Sequence, residues 1–245
     1  MLHQTQGIVL KTFKFSETSV IAKIYTEKFG LQSYIINGVY AKNNKNKPAL
    51  LQPLTILDIV AYYREHKNIQ HIKEIKPAYL FVSLLTDVVK SALTLFFSEV
   101  LYRTIKEESP NPDQFKFLDD FIVCFDQISF PTAFANLHLW FLIHFAQFLG
   151  FSPRQNFFYT QRPYFNLVEG EFTHHPPTHS YFLKLPLSHV LFKLMNLRAN
   201  QTEQIRLSKS ERTQLLHALL TYYKLHIEGF GDLKSISVLE TIFAD

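Results

Sequence analysis

The 245-residue sequence predicts a multidomain β + α fold. A five-stranded barrel is expected over residues 1–80, then an α-helical domain over 81–245 with a small β-hairpin insertion at about 152–180. Three observations predict it. Apolar residues alternate with polar ones through much of the first third, as on strands with one buried face. Near Pro77 the spacing changes to that of helices. At 152–180 the helical period lapses into a proline-rich stretch with a turn at Glu169-Gly170.

Taken in order, three β-rich runs come first: Gly7–Phe15, Ser19–Thr26 and Leu31–Asn37, joined by short turns. Val20, Ala22 and Ile24 share one face of the second run, and Ile21, Lys23 and Tyr25 the other. The loop Ala41–Pro48, with three Lys and three Asn, is too polar to pack. A long fourth strand is expected from near Pro53 to Tyr63, then a polar turn at Arg64–Asn68 and a fifth strand over Ile69–Lys76. Ile69, Ile72 and Ile75 recur at three rather than two, so a bulge or a helical turn is expected there. Short strands with no long helix between them indicate a closed barrel of the oligonucleotide/oligosaccharide-binding (OB) fold.

Thr86-Asp87 is placed to cap a helix over Val88–Glu107, and Ser109-Pro110-Asn111-Pro112 ends it. Further helices are expected at Asp113–Ile128 and at about Thr132–Leu149, the latter apolar nearly all round and stopping at Gly150. After the hairpin, Tyr164–Val168 with Glu171–Thr173, helices resume near Leu187–Leu197. Ser208 with Glu211 has capping-box spacing for a long helix to about Ile227, and Lys234–Phe243 forms the last.

Residues 1–80 hold eleven Lys and Arg against five Asp and Glu, although the whole chain is only +4. The basic excess therefore lies in the barrel, where a polyanion would dock. Cys124 is the single cysteine, so no disulfide can form within the chain. With no uninterrupted apolar span of about 20 residues, a cytoplasmic (nucleoid-associated) protein with no membrane partner is expected. Glycine-rich phosphate loops and nucleophile elbows are missing, so no enzyme and no catalytic residue is expected. His174, His175 and His179 offer imidazoles for a metal, but the spacing matches no familiar site and no metal or cofactor is expected. His138 and His144 on the apolar helix are expected to be buried and hydrogen-bonded.

Lys11, Lys14, Lys23, Lys42, Lys45, Lys47 and Arg64 are the expected phosphate contacts. Tyr34, Tyr40 and Tyr62 are candidates for stacking on bases. The same lysines and tyrosines would serve a protein-interaction scaffold that binds an acidic peptide or protein, which is the second reading.

Gly7-Ile8-Val9-Leu10-Lys11, Glu17-Thr18-Ser19, Thr26 with Gly30, and Gly38 with Lys42 resemble the N-terminal domain of the bacterial RecO family. Leu215–Tyr223 followed by Lys234-Ser235 resembles that family's ending, and the Phe- and Asn-rich tone resembles members of the Bacteroidetes type. The resemblance implies an OB-fold and a helical domain that together act as a DNA repair and recombination mediator. It implies binding of single- and double-stranded DNA, strand annealing, and work with RecR to load RecA onto DNA coated by single-strand-binding protein (SSB), whose C-terminal tail is contacted. Many members carry a four-cysteine zinc element. Residues 152–180 have its expected position and no cysteine, so a metal-free hairpin held by Phe158, Tyr164 and Phe165 is expected.

Overall fold

The structure, a computed structural model, describes residues 1–42, 44, 47–84, 86–128, 135–158 and 162–242. It divides into two compact units, Met1–Gln127 and Ile128–Asp245.

The first unit is built on a closed barrel of β1 (Leu2–Lys14), β2 (Val20–Thr26), β3 (Gly30–Ile36), β4 (Ile56–Tyr62) and β5 (Gln70–Pro77). Strand order is β1-β2-β3-β5-β4, with β4 closing on β1 and only the β3–β5 pair parallel. Successive Cα partners run Leu2–Tyr62–His71–Ile35–Ile21–Phe13, returning to β1 eleven positions from the start. That stagger tilts the strands and lets five of them close. Val9, Val20, Ala22, Ile24, Tyr34, Ile36, Leu57, Ile59 and Ala61 fill the interior. Gly7 is required by this core, because a Cβ there would lie 2.6 Å from Ile24 and 2.8 Å from Ile59.

Two strand boundaries differ from the sequence reading. β1 starts at Leu2 rather than Gly7, since its first half pairs with β4 along Leu2–Ile8. β4 starts at Ile56 rather than near Pro53, because Lys47–Leu50 forms one helical turn (α1) and Leu54 takes a left-handed φ of 62°. Of the bulge and the helical turn that the sequence leaves open, the bulge is present: Val60 pairs with Glu74 and Ala61 with Ile72, which leaves Lys73 as the extra residue. It turns both Ile72 and Ile75 toward the core despite their spacing of three.

α2 (Val88–Thr104) and α3 (Pro112–Gln127) belong to this same unit. Asp87 caps α2 by accepting from the Lys90 backbone N–H at 2.9 Å. The helices cover outward positions of the barrel. Ser98 donates its hydroxyl to the Leu10 carbonyl, the Tyr25 ring lies 6.0 Å from Phe115, and the Leu31 N–H donates to the Glu107 carbonyl at 3.0 Å. Burial, with the Glu107 charge adding to it, pushes the Tyr25 hydroxyl up to about 12. The helical period begins near residue 80, but the compact unit runs on to residue 127.

The second unit contains α4 (Leu137–Phe145), which runs into a 3-10 turn at Ala146–Leu149, then β6 (Tyr164–Asn166), β7 (Glu171–Thr173), β8 (Phe182–Leu183), α5 (Leu187–Met195), α6 (Lys209–His226) and α7 (Ile236–Ile242). The helix expected from about residue 132 is described only from Leu137, since residues 129–134 lie outside the described ones. α4 is buried nearly all round. His144 bonds the Leu194 carbonyl at 3.2 Å, Trp140 donates to that of Leu197 at 2.8 Å, and Tyr223 donates to that of Leu142 at 2.7 Å. The capping box of α6 forms between Ser208 and Glu211. No helix among the described residues is long and apolar enough to cross a membrane.

Candidate nucleic-acid interface

Alternation along β1 and β2 decides which cations share a surface. Lys11 and Lys23 are direct Cα partners. Thr12 pairs with the inward-facing Ala22, so Lys11 and Lys23 stand on the outer face, next to the Phe13–Ile21 pair. β3 continues this face with Ser33 and Ile35. The outer face of β2–β3, bordered by loops, is the usual oligonucleotide-binding surface of an OB barrel.

The other cations frame this face from two sides. Lys14 pairs with Val20, an inward position, so it rises at the mouth of the barrel rather than beside Lys11. There the β1–β2 turn and the loop after β3 are tied together: the Tyr40 N–H donates to the Thr18 carbonyl at 3.1 Å and the Ser19 hydroxyl to Asn37 at 3.1 Å. Lys42 is exposed on that loop, while Lys47 is half-buried with its Nζ 3.5 Å from the Asn37 carbonyl. Lys45 lies outside the described residues. Arg64 is exposed in the β4–β5 turn, whose shape is set by Gln70: its amide nitrogen donates to the carbonyls of Arg64 and Lys67 at 2.8 Å each.

Among the described residues, no ion pair engages Lys11, Lys14, Lys23, Lys42, Lys47 or Arg64. Lys76, by contrast, is held by Glu74 at 2.8 Å. Three further exposed cations of the barrel with no ion pair among the described residues were not picked out from the sequence: Lys28 in the β2–β3 turn, whose Nζ donates to the Gln4 carbonyl at 2.8 Å, Lys67 in the β4–β5 turn and Lys73 at the bulge. Lys67 stands in a five-residue polar run, where only the turn geometry shows that it adjoins Arg64.

The stacking candidates need correction. Tyr34 is 1% exposed inside the barrel, and burial raises its hydroxyl pKa well above 10. It pairs with the inward-facing Ala22, so it is core and meets no base. Tyr40 is 55% exposed and Tyr62 is 49% exposed, and both remain available.

The hairpin region is held by rings. Phe165 lies 4.9 Å from Phe172, and Phe172 lies 5.1 Å from Phe157, which stacks on Phe192 at 4.8 Å. Phe158, expected among the holding residues, is instead exposed; Phe157 takes its place. Tyr164 packs edge-on against Phe182 of the third strand, β8, which pairs with β6. The residues do not fit a zinc element. There is no cysteine at 152–180, and His179 Nδ1 accepts the Tyr181 N–H at 3.2 Å instead of converging with His174 and His175. No group of three or more metal-ligating side chains is found among the described residues.

Comparison with known proteins gives one answer throughout. The family model for "Recombination protein O N terminal" matches residues 1–81, and that for "Recombination protein O C terminal" matches residues 85–235. The chain is 34% identical over 244 residues to a DNA repair protein RecO of Phocaeicola vulgatus, covering 100% of both. It is 34% identical to that of Bacteroides fragilis, over 99% of this chain and 100% of the relative. It is 35% identical to that of Flavobacterium psychrophilum, over 98% of this chain and 99% of the relative.

Proposed function

Because the chain belongs to the RecO family of DNA repair proteins, we propose that its barrel binds DNA as a recombination mediator. In this role it anneals complementary strands and, with RecR, helps load RecA onto single-stranded DNA coated by SSB, whose C-terminal tail it contacts. It works in the cytoplasm, at the nucleoid.

One observation carries the reading. Lys11 and Lys23 are paired across β1 and β2 on the outer face, and no carboxylate ion-pairs with either among the described residues. Two like charges side by side on a sheet repel each other. A phosphate backbone relieves that repulsion and gains entropy by releasing its counterions. Phosphate contacts position a strand without reading its sequence, which suits a protein that must accept any sequence. Annealing also needs charge neutralised on two strands while their pairing edges stay free. Ammonium groups on a convex barrel, with the loop cations Lys42, Lys47, Arg64 and Lys67 around them, supply that. The chemistry is binding rather than bond-making.

The test is a strand-annealing assay with complementary labelled oligonucleotides, bare and coated with SSB. The full chain should accelerate annealing on both. Lys11→Glu with Lys23→Glu should slow it roughly tenfold or more, because two attractive phosphate contacts become repulsive. No acceleration by the parent protein on either substrate would end the proposal.

A further inference from the structure

In the second unit, Lys209, Arg212, Leu216, Leu220 and Lys224 follow one another along α6 at spacings of three and four. They therefore share one side of the helix, with leucines in the middle and cations at both ends. The chain leaves α6 and turns back through Gly229 and Gly231, whose φ values of +71° and +64° suit glycine. The returning segment is firmly anchored. Phe230 and Leu233 are buried, the Phe230 ring lies 5.3 Å from that of Tyr223, and Asp232 accepts from Lys224 Nζ at 2.6 Å. α7 follows and lies beside the leucines of α6.

α7 itself is held by little. Of its seven residues only Leu239 is buried. Next to it, the Glu240 carboxylate accepts from His217 Nε2 at 2.8 Å, and both of these side chains are exposed. Two clefts flank the contact. One of about 430 Å³ lies between Leu220, Thr221 and Lys224 on α6 and Ile236, Ser237 and Glu240 on α7. The other, of about 360 Å³, lies between Arg212, Thr213 and Leu216 on α6 and Leu239 and Glu240 on α7, with His138 of α4 at its wall. Each has room for roughly ten waters, whereas closely packed helices leave voids hardly larger than one. A helix this short has no stability of its own in water. Its position depends on the Leu239 and His217–Glu240 contacts.

We propose that α7 is a lid over the apolar, cation-flanked face of α6. It moves as a unit beyond the anchor at Leu233. Closed, it covers the face with an apolar residue and a carboxylate, Leu239 and Glu240. Open, it uncovers Leu216 and Leu220 between Arg212 and Lys224, a surface suited to an apolar molecule that carries negative charge. The helices beneath stay folded through the opening, because their ties do not pass through α7: Tyr223 donates to the Leu142 carbonyl at 2.7 Å and Tyr222 to that of Phe151. The lid is independent of DNA binding by the barrel, since every residue in it belongs to the second unit.

The experiment measures amide hydrogen exchange and dye binding on the full chain at one pH. The Leu239 N–H, which donates to the Ser235 carbonyl at 3.0 Å, should be protected at least roughly a hundredfold less than the amides of Tyr222 and Tyr223, and dilute urea should leave its rate unchanged, as for a local opening. Leu239→Ala should speed exchange across α7 about tenfold and leave Tyr222 and Tyr223 as they were. Glu240→Gln and His217→Gln, at exposed positions, should each speed it by a smaller and equal factor, because they break the same contact. The anionic aromatic dye 1-anilinonaphthalene-8-sulfonate then probes the uncovered face. Its affinity should rise in each variant by the same factor as the exchange rate, since both follow the open population. Exchange of α7 and α6 at one common rate with one urea dependence would overturn the lid. Faster exchange with no gain in dye affinity would also overturn it, as α7 would then fray without covering a binding face.

Discussion

His138 lies at 1% exposure within the second unit, where burial and the nearby Arg212 guanidinium hold its imidazole at about 3 rather than 6.5. A base with a depressed folded pKa resists the proton that the unfolded chain accepts. Stability is therefore undiminished above about 6.5 and falls as pH drops from there toward 3. Between pH 6.5 and pH 5 the loss is at most about 2 kcal/mol. Urea midpoints should fall between pH 7 and pH 5 in the parent and fall less in His138→Gln; equal falls would refute this. Gly170 is a sterner case. Its φ is +67°, and a Cβ there would lie 2.6 Å from the Tyr222 hydroxyl, which itself donates to the Phe151 carbonyl. Gly170→Ala should cost about 2 kcal/mol or more in urea denaturation, through strain and displacement of that ring. The turn at Glu169-Gly170 was legible in the sequence; the tyrosine above it was not, because it comes from a helix some fifty residues on. The same limit explains Tyr34. Alternation within a strand is visible in one dimension, but which face of β3 is inward depends on its register with β2.

At the scale of elements, the segment joining the barrel to α2 is fixed by one carboxylate. Asp126, at the end of α3, accepts the backbone N–H groups of Val82, Ser83 and Leu84 at 2.8, 2.9 and 2.7 Å, and the Tyr79 hydroxyl at 3.1 Å. Lys90 donates to the Asp126 carbonyl at 2.7 Å. Burial pushes the Asp126 pKa up, but the donated hydrogen bonds outweigh it and hold the carboxyl below its usual value. An acid with a depressed folded pKa adds stability that is present above about pH 4 and lost as pH falls through the folded value. Asp126→Asn should cost about 2–4 kcal/mol at pH 7, read from urea denaturation, and less at a pH acid enough to protonate the parent carboxyl. An equal cost at both pH values would show that the charge is not what matters. Nothing in the sequence near Asp126 announces this role, since its partners lie some forty residues earlier. The caps at Asp87 and Ser208 were legible because a cap and its partner are three residues apart. The β5 bulge was legible as a broken period for the same local reason.

For the whole molecule, the change from strand to helix spacing near residue 80 is plain in the sequence, yet the first compact unit extends to Gln127. The reason is that outward barrel positions such as Leu10 and Tyr25 are apolar and need α2 and α3 to cover them. A fragment of residues 1–127 should therefore unfold cooperatively on heating, whereas one ending at 81 should melt at least 10 °C lower or aggregate; equal melting would contradict this. The basic character of the barrel was also legible from composition, but its arrangement depends on strand pairing and loop closure, which place Lys11 with Lys23 and Lys14 elsewhere. The most direct test of that arrangement is the affinity for a labelled single-stranded oligonucleotide across a series of salt concentrations, for the parent and for Lys11→Gln with Lys23→Gln. The parent should weaken steeply with salt, and the variant should bind less tightly with a log–log slope shallower by about 1.4, the value for two lost phosphate contacts. An unchanged affinity and slope would contradict a phosphate-binding face on this barrel.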